Sequence, residues 1–296
     1  MIAEVFTVAA PVIILTLIGY LWARANQPFD NDTASSIVMM IGSPCLVFSA
    51  LTSIEIDFNT FGIMAFSAAL LIAISGGLGL LCLHLLNKPA HTFLPALMHQ
   101  NSGNMGLPLV LLAFGEPGLA LGVTCFFVNS ISQYSIGISI TSGKSNFASL
   151  ARQPIIYSVF IVIPVIAFDI PIPRWIAGTT ELLGGLAIPL MLLLLGNSLA
   201  RLEISDLPLA LGLAVLRLAL GITSGVAVIW LLGLEGMQAG VILLLACMPS
   251  AVFNFVFAER FQRSPEKVAG LVMSSTILSL CTLPILVWVT LRVAAT

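Results

Sequence analysis

The sequence predicts an all-α integral membrane protein with ten transmembrane helices in a five-plus-five inverted repeat, and three observations lead to this prediction. Hydrophobic residues make up 59% of the chain and charged residues 8%, whereas a soluble domain carries about 25% charged residues. Ten apolar stretches follow one another along the chain. Prolines recur at corresponding places in its two halves. The net charge of -2 says nothing about nucleic acid, but the sequence has no basic patch to bind a phosphate backbone, so we expect no nucleic-acid partner.

Each apolar stretch approaches the roughly 20 residues that cross the hydrocarbon core of a lipid bilayer. We predict transmembrane spans over residues 2–22, 35–53, 61–85, 92–114, 119–141, 155–170, 176–199, 207–232, 237–261 and 268–291. The chain then divides into a first five-helix repeat (1–141), a cytoplasmic loop (142–154) and a second, inverted five-helix repeat (155–296).

Lysine and arginine residues predict the orientation of these spans, because cytoplasmic loops carry an excess of them. The loops that follow spans 1, 3, 5, 7 and 9 hold eight of the 11 basic residues. These eight are Arg24, Lys88, Lys144, Arg152, Arg201, Arg260, Arg263 and Lys267. The opposite side holds Arg174 and Arg292. We therefore expect a multi-pass protein of the plasma (inner) membrane with both termini outside.

Prolines mark corresponding places in the two halves. Pro44 in span 2 corresponds to Pro189 in span 7, and Pro108 in span 4 corresponds to Pro249 in span 9. An odd number of spans per half means that a repeated half inserts upside down. Paired broken helices in inverted halves are typical of the binding site of a secondary transporter. Prolines also serve packing and kinking in membrane helices, and that alternative stays open.

Residues 99–109, HQNSGNMGLPL, form the most polar stretch inside a predicted span. Pro108 removes a backbone donor and is expected to free the carbonyl of Asn104. Asn101 and Asn104 are three residues apart, so their amides share one helix face. We predict substrate contacts from Asn101, Asn104, Met105 and Pro108. The alternative is a close-packed helix seam joined by asparagine.

Span 9 contains the matching interruption. Pro249 and Asn254 are expected to contact the substrate as well, although Asn254 has a second interpretation as a cap of a half-helix. If the halves are inverted, the breaks at Pro108 and Pro249 meet near the bilayer centre. Half-helix N-termini there carry partial positive charge, which suits an anion.

Two further residues, Arg217 and His99, are candidates within the spans. Arg217 is the only basic residue well inside a span, where it either binds or attracts an anion or bonds helix carbonyls structurally. His99 either titrates during a cycle or is a neutral, hydrogen-bonded histidine. The sequence has no catalytic motif and no cysteine pair, so we expect neither an enzyme nor a metal or cofactor.

Several stretches resemble the auxin efflux carrier family, which includes plant auxin exporters and short-loop prokaryotic permeases. NSGNMGLPL is similar to the asparagine-rich span 4 of that family, and NFVFAERFQRSPE to the end of its span 9. RQPIIYS resembles the start of its span 6, and VLRLALG its arginine-bearing span 8. The resemblance extends over nearly the whole chain.

This resemblance implies ten spans, a scaffold domain of helices 1, 2, 6 and 7, and a transport domain in which broken helices 4 and 9 cross. It also implies an organic anion as substrate, homodimers, and a ligand-binding role for Asn101. The short loop after span 5, and QPII where plant carriers have a second asparagine, leave auxin itself unsupported; malate and malonate are alternatives.

The functional expectation is therefore a secondary transporter of small organic anions that works by alternating access in the lipid bilayer. A channel or a membrane sensor without a transport cycle is the alternative. The sequence does not identify a coupling ion, and sodium and protons both stay open.

Overall fold

The computed structural model describes residues 2–53, 58–144, 154–168, 170–202 and 205–295, and most of these residues are helical. Thirteen α-helices lie within these ranges. They are α1 (Ile2–Arg24), α2 (Asn31–Ile37), α3 (Ser43–Ser53), α4 (Phe58–Leu85), α5 (Ala90–Met98), α6 (Leu107–Ser132), α7 (Ile138–Ser142), α8 (Pro154–Ala167), α9 (Arg174–Arg201), α10 (Leu207–Leu232), α11 (Gly236–Ala246), α12 (Phe253–Arg260) and α13 (Pro265–Ala294). Short π-helical segments, Val38–Gly42, Ser102–Gly106 and Gln133–Gly137, precede α3, α6 and α7.

Seven helical stretches of the described residues are long and apolar enough to cross a membrane. They are Val5–Arg24, Asn31–Thr52, Phe58–Leu85, Ser102–Ser142, Arg174–Arg201, Leu207–Leu232 and Pro265–Ala294. The stretch Ser102–Ser142 bends at Gly115, whose φ of 67° and ψ of -165° are not helical. The all-α integral membrane class is therefore confirmed. Most of the predicted loop over 142–154 lies outside the described residues.

Local sequence signals place several helix ends. The Asp30 carboxylate accepts hydrogen bonds from the backbone N–H groups of Asp32 and Thr33, and so caps α2. Asp206 caps α10 in the same way, through the N–H of Leu209. That helix ends at Gly233, whose φ of 60° is a left-handed conformation that glycine adopts without strain.

Small residues let α1 and α9 approach closely. A Cβ atom on Gly19 would overlap the carbonyl oxygen of Leu193, and one on Gly196 would overlap that of Thr16. The α3 helix packs on α9 in a similar way, because a Cβ on Gly184 would lie 2.8 Å from the Cα of Leu46. Without a hydrophobic force between helices in lipid, such close packing stabilises their association.

Pro44 and Pro189 predict interruptions of spans 2 and 7, like those of spans 4 and 9, and this prediction is wrong. Helical structure continues through Pro44, directly after the π-helical segment Val38–Gly42. Pro189 lies inside the single continuous helix α9. Neighbouring helices and a local π-turn accommodate the missing proline N–H without a break in the chain path.

Candidate functional site

Two helices break and pair with each other through their backbones. The first break separates α5 from the segment Ser102–Gly106, and the second separates α11 from α12. Gln100 and Ser250 form an isolated antiparallel bridge between them. The N–H of Asn101 donates to the carbonyl of Pro249 at 2.8 Å, and the N–H of Ala251 donates to that of His99 at 3.2 Å. These bonds replace helical bonds that cannot be left unmade inside a membrane.

The first break lies earlier than Pro108, contrary to the expectation from sequence. The backbone leaves the helix at His99, with φ of -102° and ψ of 108°, and continues through Asn101, with φ of -75° and ψ of 61°. Pro108 lies instead near the start of α6, after the π-helical segment. The wider π-turn precedes it, so the proline continues the helix. The second break spans residues 247–252 and does contain Pro249.

Gly103 and Gly106 pack closely at the crossing, where a larger residue would displace a neighbouring side chain. A Cβ on Gly103 would lie 2.9 Å from the ring of Phe126, and one on Gly106 would lie 2.6 Å from the side chain of Leu245. The same two glycines follow the first break, so the chain bends and packs against α6 and α11 in one short stretch.

Side-chain amides hold the crossing from α6 and the segment after it. The Nδ2 of Asn129 donates to the Gln100 carbonyl at 3.1 Å and to the Ser102 hydroxyl at 3.0 Å. The Nε2 of Gln133 donates to the Oδ1 of Asn254 at 3.1 Å. Asn129 therefore hydrogen-bonds to the first broken helix, and Gln133 hydrogen-bonds to the second. Sequence analysis missed both, although two amides one helical turn apart in an apolar span were a visible signal.

A recess of about 560 Å³, including its open mouth, lies beside the crossing. We call it the amide recess. It is lined by Val38, Met39, Ser43, Gln100, Asn101, Ser102, Gly103, Asn104, Phe126, Asn129, Ser130, Gln133, Tyr134, Met191, Ala251 and Phe253. Among the described residues, three buried atoms of its lining have no hydrogen-bond partner: Nδ2 of Asn101, Nε2 of Gln100 and Oδ1 of Asn129.

Asn101 and Asn104 are the two predicted residues that line the amide recess. They do not share a helix face, because Asn101 is not helical. Its Oδ1 accepts the backbone N–H of Asn104 at 3.2 Å, so Asn101 caps the segment that follows. Met105 and Pro108 are buried in the helix packing and lie outside the recess lining.

Asn254 and His99 belong to the crossing itself. The Nδ2 of Asn254 donates to the His99 carbonyl at 3.3 Å and to the Ser250 hydroxyl at 3.1 Å. The imidazole of His99 is fully buried, with Nδ1 3.1 Å from the Pro95 carbonyl and Nε2 3.0 Å from the Ser132 hydroxyl. The hydrogen-bonded interpretation of His99 matches this geometry.

Arg217 lies away from the amide recess, beside a second cavity. Its side chain is 1% exposed, and its Nη2 donates to the carbonyl of Ala246 at 3.2 Å. Ala246 is the last residue of α11, so the guanidinium meets the negative end of that helix. Gly221, one turn further along α10, permits this approach, because a Cβ there would overlap the same carbonyl oxygen.

The second cavity holds about 170 Å³ and is lined by Ala214, Arg217, Leu218, Cys247, Met248, Pro249, Ser275, Leu278 and Ser279. The predicted site residue Pro249 therefore lines this cavity and is absent from the lining of the amide recess. Within the described residues, no three His, Cys, Asp or Glu side chains are grouped to hold a metal ion.

Comparison with known sequences decides the family. The sequence model of the membrane transport protein family matches residues 4–146 and 141–287. The chain belongs to this family. The resemblance to auxin efflux carriers is thereby confirmed, and the protein is a multi-pass membrane protein of a transport family.

Two archaeal proteins are similar to this chain over almost their whole length. An uncharacterized transporter of Methanocaldococcus jannaschii is 24% identical over 305 aligned positions, which cover 95% of this chain and 97% of that protein. An uncharacterized transporter of Methanothermobacter thermautotrophicus is 25% identical over 288 positions, covering 93% of this chain and 94% of its own. Their names indicate transport and no substrate.

Proposed function

We propose that this membrane transport protein is a secondary transporter of small organic anions. The observation that carries the proposal is the amide recess beside the crossed helices, where one buried amide atom each of Gln100, Asn101 and Asn129 has no partner among the described residues. A buried polar atom without a partner costs free energy. A ligand that bonds these atoms removes that cost, so the recess favours binding.

The uncommitted donors suit a carboxylate. The Oδ1 of Asn101 is held by Asn104, so the Nδ2 of Asn101 is the atom left for a ligand. Gln100 supplies a second N–H donor. The segment Ser102–Gly106 and α12 both begin at the recess, and helix N-termini favour anions. Neutral donors bind an anion less tightly than an arginine fork does, which permits release.

The uncommitted acceptor narrows the substrate class. The Nδ2 of Asn129 is committed to Gln100 and Ser102, so its Oδ1 is left as an acceptor. We therefore infer a carboxylate with a hydrogen-bond donor in the same molecule, as in a 2-hydroxy acid such as malate or an indole acid such as auxin. Malonate, which has no such donor, is a poorer match. Apolar walls from Met39, Phe126 and Phe253 accommodate the rest of the ligand.

Alternating access requires that two groups of helices move against each other. One wall of the amide recess comes from α9 and the helices packed around it, through Val38, Met39, Ser43 and Met191. The opposite wall comes from the crossed helices. We assign α1, α2–α3, α8 and α9 to a scaffold and the crossed helices to a transport domain. We also propose that the chain has ten spans in two inverted halves, that both termini lie outside, and that the protein is a homodimer.

Binding by purified protein in detergent tests this proposal. Thermal stability is measured with malate, malonate, an indole carboxylic acid and acetate, each with and without sodium. Asn101→Ala should weaken binding of the preferred acid about ten- to a hundredfold, because a hydrogen bond to a charged group is worth about 1.5–3 kcal/mol.

Asn197→Ala is the matched control. Asn197 is a fully buried asparagine of α9 that lies outside the recess, so its loss should leave affinity unchanged. The proposal is wrong if no organic acid binds, or if Asn101→Ala binds the preferred acid as tightly as the parent protein does.

A further inference from the structure

We propose that the second cavity, behind the crossing, binds a monovalent anion of chloride size through Arg217 and Ser279. This site differs from the amide recess in its residues and in its ligand. Arg217 and Ser279 line the cavity and are 1% and 2% exposed. Within the described residues, the Nε and Nη1 atoms of Arg217 and the hydroxyl of Ser279 are buried without a partner. Two side chains with unpaired donors therefore line the same small cavity.

The positive charge of Arg217 also favours a bound anion. Among the described residues no carboxylate pairs with the guanidinium, and its one hydrogen bond goes to the Ala246 carbonyl. The C-terminal end of a helix supplies roughly half a negative charge. About half of the arginine charge is therefore uncompensated at a buried position inside a span, where an unpaired charge is costly. One bound monovalent anion supplies the missing negative charge.

Size and the remaining hydroxyl indicate a small anion. The cavity is about 170 Å³, less than a third of the 560 Å³ of the amide recess, and most of its lining is apolar. Ser275 is already committed, since its hydroxyl donates to the Val272 carbonyl and accepts the Ser250 N–H. Ser279, one turn further along α13, is the hydroxyl that remains for a ligand.

The experiment uses the whole purified chain exchanged into sodium methanesulfonate without any carboxylic acid. Chloride or bromide then replaces methanesulfonate stepwise at constant sodium and ionic strength. We expect a saturable rise in melting temperature of about 2 °C, because binding to the folded state stabilises it. Equal melting temperatures in chloride and methanesulfonate, or a rise without saturation, would overturn the proposal and indicate that water fills the cavity.

Two serine variants test whether the chloride effect arises at this cavity. Ser279→Ala should raise the chloride concentration of half-maximal effect about ten- to a hundredfold. Ser274→Ala is the control, because Ser274 is a buried hydroxyl on the same helix, also without a partner, and lies outside the cavity lining. Identical responses of the two variants would contradict the assignment.

Arg217→Gln should abolish the chloride effect, and chloride stabilisation that persists in a folded Arg217→Gln protein would contradict the assignment. The serine pair still decides the question if Arg217→Gln does not fold. Because no carboxylic acid is present, the result is independent of whether the amide recess binds one.

Discussion

The side-chain amide of Asn129 donates to the backbone carbonyl of Gln100 at 3.1 Å, and so ties α6 to the first broken helix. Replacement by leucine leaves that carbonyl and the Ser102 hydroxyl without their donor. We expect Asn129→Leu to destabilise the protein by about 1–3 kcal/mol, as unpaired buried groups do. Thermal unfolding in detergent measures this loss. Asn197→Leu replaces a buried asparagine whose amide has no partner, and should cost less; equal losses would argue against the role of Asn129.

Gly221→Ala tests the contact between α10 and the end of α11. A Cβ at this position would overlap the Ala246 carbonyl oxygen and lie 3.2 Å from Nη1 of Arg217. Overpacking of this kind costs about 1–3 kcal/mol. Gly212→Ala on the same helix is the control, because nothing lies within 4 Å of its Cβ. That substitution should be neutral or stabilise by about 0.5–1 kcal/mol through helix propensity. The contact is not tight if both variants unfold at the same temperature.

Topology is tested by labelling single cysteines. In a background where Cys45, Cys82, Cys125, Cys247 and Cys281 are replaced, cysteines at Ser145 and Asn59 should react with impermeant maleimide from opposite sides of the membrane. The reason is the excess of basic residues in one set of loops. Labelling from one side for both positions would refute the ten-span topology with both termini outside.

Movement between scaffold and transport domain is tested by cross-linking across the amide recess. Met191 of α9 and Asn104 of the crossing both line it. In the same cysteine-free background, cysteines at these positions joined by a short bifunctional thiol reagent should stop uptake into proteoliposomes. Cleavage of the link should restore it, because alternating access needs relative motion. A pair placed within the scaffold, Gly42 and Ala187, is the control. Undiminished flux through the cross-linked protein would favour a channel.

Hydropathy was sufficient to predict the seven long apolar helical stretches, whereas the count of ten spans stays a prediction. The site was only partly predictable. Asn101 and Asn104 were predicted as substrate-binding residues, and both line the amide recess, while their contact with a substrate stays a prediction. The position of the break was misplaced, because the sequence around Pro108 does not reveal that a π-turn absorbs the proline. The true break at Gln100 depends on pairing with Ser250, which local sequence does not encode.

The backbone pairing of the two breaks also has a consequence for biosynthesis. His99 and Asn254, which hydrogen-bond across the crossing, are 155 residues apart in the chain. When the ribosome has delivered only the first half, the polar groups around Gln100 have entered the membrane without the strand that pairs with them. Unpaired backbone in hydrocarbon costs several kcal/mol, so this helix is a poor substrate for stable insertion by itself. The first half must therefore remain beside the insertion machinery, or in contact with water, until α11 and α12 arrive.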